Sequence, residues 1–339
     1  MGRRGTATVA GAGALGLACA LALADAGFDV TVCDPAPFGD NASGVAAGML
    51  APVFEAALDA AAPPFSLLLA ARDRWPALEA RAGVQVERSG ALAAGSTDWL
   101  GRVAAGIARL GLHATEIPRR AATALAPGLA PDIDGVLLNR EDWRLAPGEA
   151  LLALRDAALA AGVTFRAETV QGRGGADILV IATGAALGLQ AAAPELARLA
   201  PIKGHILRVE APKQTFVTVR GEGGYVTPVN GVLAVGATME AGLSDATPDP
   251  ARAAPLLAAG AALFPALRQA PARLRAGVRG AVPDGLPLVG LSEAPGVLLA
   301  AGARRNGWLL APLVAQVVAA LAAGRDPGPW AAALDPRRF

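Results

Sequence analysis

The chain has 339 residues, is 53% hydrophobic by residue type and 17% charged, and carries a net charge of +1. That is apolar material for one large core or two moderate ones, and the near-neutral balance excludes the basic footprint of a nucleic-acid-binding protein. Two cysteines, Cys19 and Cys33, make no disulfide framework and point to a reducing, cytoplasmic setting, and two histidines, His113 and His205, are too few for a three-histidine metal site.

The N-terminus places an arginine pair before an apolar stretch, as a secretory signal does, and "MGRRGT" fits a loose acylation pattern. Gly11, Gly13 and Gly16 argue for a folded unit instead. "TATVA" predicts a strand of small and β-branched residues, "ALGLACALALADAG" a helix, and "FDVTVCD" a second strand ending in Asp34, 23 residues after Gly11. Within that βαβ unit the G-x-G-x-x-G spacing has a physical reading. Gly11 allows the turn, Gly13 lets the backbone near Ala14 approach a pyrophosphate, and Gly16 lets helix and strand pack closely. The helix N-terminus offers free N–H groups to phosphate, and Asp34 is placed to accept hydrogen bonds from a ribose.

Next, "ASGVAAGMLAP" is small, glycine-containing and uncharged, so Ser43, Ala47, Gly48 and Met49 are expected against a flat ligand. "DILVIATGA" predicts a buried parallel strand ending at Thr183 and Gly184. "KGHILRVE", "TFVTVR", "YVTPV" and "VLAVGAT" predict short strands joined by turns such as Asn230-Gly231, and hence an antiparallel or mixed sheet. No segment reads as a membrane span. The expected fold is α/β: a Rossmann-type dinucleotide-binding domain from 1–78, 141–195 and 274–339, interleaved with a smaller α+β substrate domain from 79–140 and 196–273.

In order along the chain, "VAGAGALGLACALALADAGFDVTVCD", "ASGVAAGMLAP", "LAPIKGHILRVE", "YVTPVNGVLAVGATMEAG", "AGVRGAVPDGLPLVG", "GARRNGWLLAP" and "LDPRRF" resemble the D-amino acid oxidase family of flavoenzymes, and within it the glycine-oxidising branch. The resemblance implies a glutathione-reductase-like architecture and non-covalent FAD. It also implies oxidation of glycine, a small D-amino acid or an amine to the imine. Oxygen would be the acceptor, hydrogen peroxide the second product, and thiamine thiazole synthesis the destination.

It further implies that Arg279 and Arg305 bind the substrate carboxylate. Tyr225 would add a hydrogen bond and Met239 an apolar wall, while Gly302, Arg305, Asn306, Gly307 and Trp308 would border the flavin. Arg304 is expected to face solvent or to cap a loop carbonyl. Ala303 and Arg304 stand where the branch carries a histidine and an aromatic residue, which leaves substrate identity open. Two other readings stay open: an FAD-dependent amine or amino-acid dehydrogenase or tRNA-modifying oxidase of the same fold that uses another acceptor, and a non-catalytic FAD-binding subunit. Self-association is also left open.

Overall fold

The computed structural model describes residues 4–210, 216–229 and 231–339. The first three residues of the acylation pattern, and Asn230 of the expected hairpin, lie outside them. Among the described residues the strands form sheets of six, nine and three.

The six-stranded sheet runs Leu288–Leu291, Val297–Ala301, Ile178–Ile181, Thr6–Ala10, Asp29–Cys33, Thr164–Arg166. All neighbours are parallel except the first pair. Thr6–Ala10 lies at its middle with Val9 opposite both Val180 and Val32, so a strand of small residues is flanked by one continuous apolar run, Ile178–Ile181, and by the alternating strand Asp29–Cys33. Helices Ala14–Asp25, Pro147–Ala160 and Gly307–Ala322 share one core with it, through Leu17, Leu21, Leu151, Leu154, Leu309 and Val314. No helix of the described residues is long and apolar enough to cross a membrane.

The nine-stranded sheet is mixed. Its spine is Ala200–Val209, paired antiparallel along its whole length with Ala272–Ala281. That second strand straddles residue 274, so one ladder joins chain from both expected units. On the other side Ala200–Val209 meets Val232–Gly236, followed by Gly224–Val229 and Thr218–Gly221. Val229 pairs with Val232, the register that a two-residue turn at 230–231 requires. The three-stranded sheet sets Trp143–Leu145 between Met49–Leu50 and Val86–Glu87, which fixes the uncharged segment 43–52 under the larger sheet.

Candidate active site

The three fingerprint glycines have different physical reasons. Gly11 has φ of +107°, and a Cβ there would stand 2.4 Å from the Ala182 carbonyl oxygen. At Gly16 a Cβ would stand 1.9 Å from the Gly11 carbonyl oxygen. Both are glycine because backbone crosses backbone. Gly13 is different: a Cβ there would meet only Ser43 Oγ, at 3.1 Å. Gly13 lines a cleft of about 1420 Å³ together with Gly11, Ala14, Asp34, Ser43, Thr183, Gly184, Gly302 and Gly307. Ordinary small-molecule sites are roughly 300–1,000 Å³, so this cleft has the size a dinucleotide requires. Gly16 lies behind the wall.

Asp34 is already engaged: Oδ2 accepts from Ala12 N at 2.8 Å and Oδ1 from Ala36 N at 3.0 Å. Each oxygen keeps a lone pair for a ribose hydroxyl. Asp34→Ala therefore loosens the turn and removes the acceptor together. FAD affinity should fall at least about tenfold, since charge-assisted bonds contribute roughly 1.5–3 kcal/mol each. Retention of flavin through dialysis measures this, and a full complement in the variant contradicts the assignment.

Segment 43–50 is held from three sides. Ser43 Oγ accepts from Ala14 N at 3.0 Å, and Trp308 Nε1 donates to the Ser43 carbonyl at 3.1 Å. Arg208 Nη2 donates to the Val45 and Ala46 carbonyls at 2.8 and 2.9 Å. Across the cleft, loop residues Ser244, Ala246 and Pro248 complete the wall. Lys203 Nζ on Asp245 (2.7 Å) and Asp249 N on His205 Nε2 (3.0 Å) pin that loop. His205 is thus a buried strut, and no group of three or more metal-ligating side chains exists among the described residues.

A smaller cavity of about 300 Å³ adjoins the cleft. Ala47, Gly48, Met49, Arg305, Asn306 and Trp308 line it, and so do Tyr225, Met239 and Arg279. Arg279 lines both spaces. Its guanidinium lies over the backbone of Gly204, where a Cβ would be 2.2 Å from Nη1. Its one hydrogen-bond partner among the described residues is the weak acceptor Met239 Sδ, at 3.5 Å. Burial lowers its pKa, and Arg305 and Arg304 add to that. The Tyr225 ring is buried, and its hydroxyl lies beside Gly236 on the cavity lining with no hydrogen-bond partner among the described residues. Burial raises its pKa against the pull of Arg279 and Arg305. A guanidinium without a carboxylate and a hydroxyl without an acceptor therefore share one small cavity.

The second arginine pair behaves otherwise. Arg304 does not face solvent: its Nη1 is paired with Asp59 Oδ2, its side chain is 15% exposed, and its backbone holds a left-handed φ of 48°. The cause is simple: a nearly buried guanidinium takes a carboxylate in preference to a carbonyl. Arg305 donates to Glu55 Oε1 at 3.1 Å and to Asp59 Oδ2 at 3.2 Å. Burial pulls its pKa down, and the two carboxylates more than restore it. Asp59 is held below the usual range: burial raises it, and the bonds from Arg304 and Ala61 outweigh that. Glu55 Oε1 also accepts from Arg220 Nη2 at 2.9 Å, in a pair about 5% exposed on each side. Sequence reasoning missed Glu55, Asp59 and Arg220. The one available signal was Glu55 and Asp59 four apart in "VFEAALD", the first within the helix that Pro52 opens and the second at its C-cap.

Asp142 sits behind this network, its two oxygens accepting from Val53 N and Phe54 N at the start of that helix. Burial pushes its pKa from 3.8 to about 6. A raised carboxylate pKa means tighter proton binding in the folded chain. Its stabilising contribution is complete below about pH 4 and is lost as pH rises through about 6. Unfolding in urea from pH 4 to 8 should show the wild type losing stability relative to Asp142→Asn across that window. A difference constant in pH contradicts it.

A family model described as FAD dependent oxidoreductase matches residues 6–321. The glycine oxidase of Geobacillus kaustophilus (strain HTA426) is 29% identical over 363 aligned positions, covering 95% of this chain and 93% of that protein. A crystal structure of glycine oxidase from Geobacillus kaustophilus superposes with a TM-score of 0.84 at 27% identity over 99% of both chains. The bifunctional protein ThiO/ThiG of Synechocystis sp. is 30% identical over 366 positions, which cover 98% of this chain and 53% of that protein.

Proposed function

The chain belongs to the FAD dependent oxidoreductase family, and from that premise we propose that it oxidises glycine or another small amino acid at the carbon–nitrogen bond, with oxygen as the acceptor. The observation that carries this reading is the pairing of an unopposed Arg279 with an unsatisfied Tyr225 hydroxyl in a small cavity that opens onto a dinucleotide cleft.

FAD, when bound, takes up the two electrons that leave the substrate as its C–N bond becomes an imine. The chain's own residues do the positioning. Arg279 offers its planar fork to the substrate carboxylate, and Tyr225 donates a third hydrogen bond. Met49 and Met239 present apolar surface around the rest of a small substrate. The N-terminus of helix Gly307–Ala322 opens at the cleft, with Asn306 at its N-cap making no side-chain hydrogen bond there, and so favours negative charge at that end. No acid–base side chain is needed at the reacting carbon if the amine enters unprotonated.

FAD is held without a covalent link in this reading. Cys19 lies fully buried in the first helix, with its thiol pKa pushed to about 12, and Cys33 sits beside Asp34 at the ribose end, its thiol raised to about 11 by burial and Glu168. Acid precipitation should leave the flavin in the supernatant. Flavin that stays with the pellet contradicts the assignment.

The resemblance to a protein that carries ThiO and ThiG in one chain supports thiamine thiazole synthesis as the destination of the imine. The experiment that tests the reading is oxygen uptake with peroxide release on adding glycine, sarcosine or small D-amino acids. Reduction of the bound flavin without oxygen uptake would instead favour a dehydrogenase.

A further inference from the structure

Resting on the reading of the small cavity as an amino-acid site, we propose that Glu55 and Asp59 are specificity-determining residues: by neutralising Arg305 they leave the site one usable cation, so it accepts a single carboxylate and turns away substrates that carry two.

Charge counting leads there. Arg220, Arg279, Arg304 and Arg305 stand in one cluster with Glu55, Asp59 and Asp142. Four cations against three anions leave a surplus of one. It falls on Arg279, which pairs with no carboxylate among the described residues, whereas Arg305 is held by two. Yet Arg305 lines the same cavity and keeps 28% of its side chain exposed. Charge type and reach would suit it to a second carboxylate, and only its internal partners prevent that.

Those partners are not easily displaced. The Glu55 and Asp59 side chains are 5% and 13% exposed, and a ligand that took Arg305 from them would leave buried negative charge unbalanced. Glu55 Oε2 lacks a hydrogen-bond partner among the described residues, which adds uncompensated negative charge to the wall beside Arg305. Glu222, also on the cavity lining and paired with Arg102 at 2.6 Å, puts another carboxylate there. Among the cationic side chains that line the cavity, Arg220 and Arg305 are thus already taken by carboxylates, and Arg279 is the one left for a substrate carboxylate.

The test uses the FAD-loaded enzyme and inert ligands, propionate and succinate, with binding followed by calorimetry. Turnover of D-alanine and D-aspartate runs in parallel. Wild type should bind propionate at least about tenfold tighter than succinate, the ratio expected from one charge-assisted contact that the second carboxylate cannot make. Asp59→Asn keeps the shape and one of the two acceptor oxygens but removes the charge. It should narrow that ratio by about tenfold and shift kcat/KM toward D-aspartate by a similar factor. Asp59→Asn with Arg305→Met should cancel the shift. Wild type that binds succinate as well as propionate overturns the assignment without any variant, and so does a gain in Asp59→Asn that survives the loss of Arg305. A wild type that binds neither ligand and oxidises no monocarboxylic amino acid overturns the amino-acid reading itself, a result distinct from the other two.

Discussion

Arg279→Ala should lower kcat/KM for the best small amino acid by two to four decades. A small substrate has one strong handle, its carboxylate, and removing one partner of a buried charged contact costs about 3–5 kcal/mol. Arg279 has no carboxylate partner among the described residues, and its one hydrogen-bond partner there is a thioether sulfur at 3.5 Å. Arg279→Lys should recover little. A point charge does not reproduce a bidentate fork, and the packing of the flat group over Gly204 is lost with it. In the proposed reading the dinucleotide is held along the first helix and Asp34, so FAD content should largely hold although Arg279 also borders that cleft. An amine without a carboxylate should be nearly indifferent to the change. Arg304, a solvent-facing control when judged from sequence, is unsuited to that use: removing it releases Asp59 and with it one anchor of Arg305. Steady-state kinetics on Arg279→Ala with glycine, D-alanine and a simple amine decide the matter. Normal oxidation of either amino acid places the carboxylate elsewhere.

What could be read from sequence follows from how local each feature is. The first βαβ unit was legible because strand, glycine spacing, helix, second strand and terminal Asp34 lie within one short stretch, and every part has a local reason. Tyr225 and Arg279 came from resemblance and could not have come from pattern alone, since a lone tyrosine on a strand reads as packing. The acidic side of the site was hidden. Glu55 meets Arg220 across 165 positions and Arg305 across 250, and no periodicity reports a contact made over such separations. Arg304 was misread for a related reason. Its left-handed backbone and its partner Asp59 belong to a turn that only the packed chain defines. Strand Ala272–Ala281 shows the same limit at a larger scale. Its ten-residue pairing with Ala200–Val209 joins chain from both sides of position 274, a contact that no local pattern reports.

Alanine at the three fingerprint glycines should separate folding from cofactor binding. At Gly16 the new Cβ would sit 1.9 Å from the Gly11 carbonyl oxygen, with the Ala182 methyl group 3.4 Å away. Neither is the free end of a flexible side chain, so helix Ala14–Asp25 must move off the central strand. Overpacking of this kind costs about 3 kcal/mol or more, and it falls on the helix that joins the two halves of the core. Gly11→Ala adds a left-handed φ of +107° to a 2.4 Å approach to the Ala182 oxygen and should be as damaging. Both variants should melt well below the wild type even without flavin. Gly13→Ala should not. Its φ of −81° and ψ of −175° are open to alanine, and the added methyl group meets only the Ser43 hydroxyl, at 3.1 Å. The apoprotein should therefore stay within about 1 kcal/mol of wild type. The methyl group nonetheless lands on the cleft wall at the N-terminus of the helix, where a pyrophosphate must come close to the backbone. FAD affinity should fall by about tenfold or more, the cost of losing one charge-assisted contact. Thermal melting of the apoproteins and flavin titration separate the two effects. Gly13→Ala that binds FAD like wild type, or Gly16→Ala that melts like it, removes the physical basis for reading this spacing as a dinucleotide site.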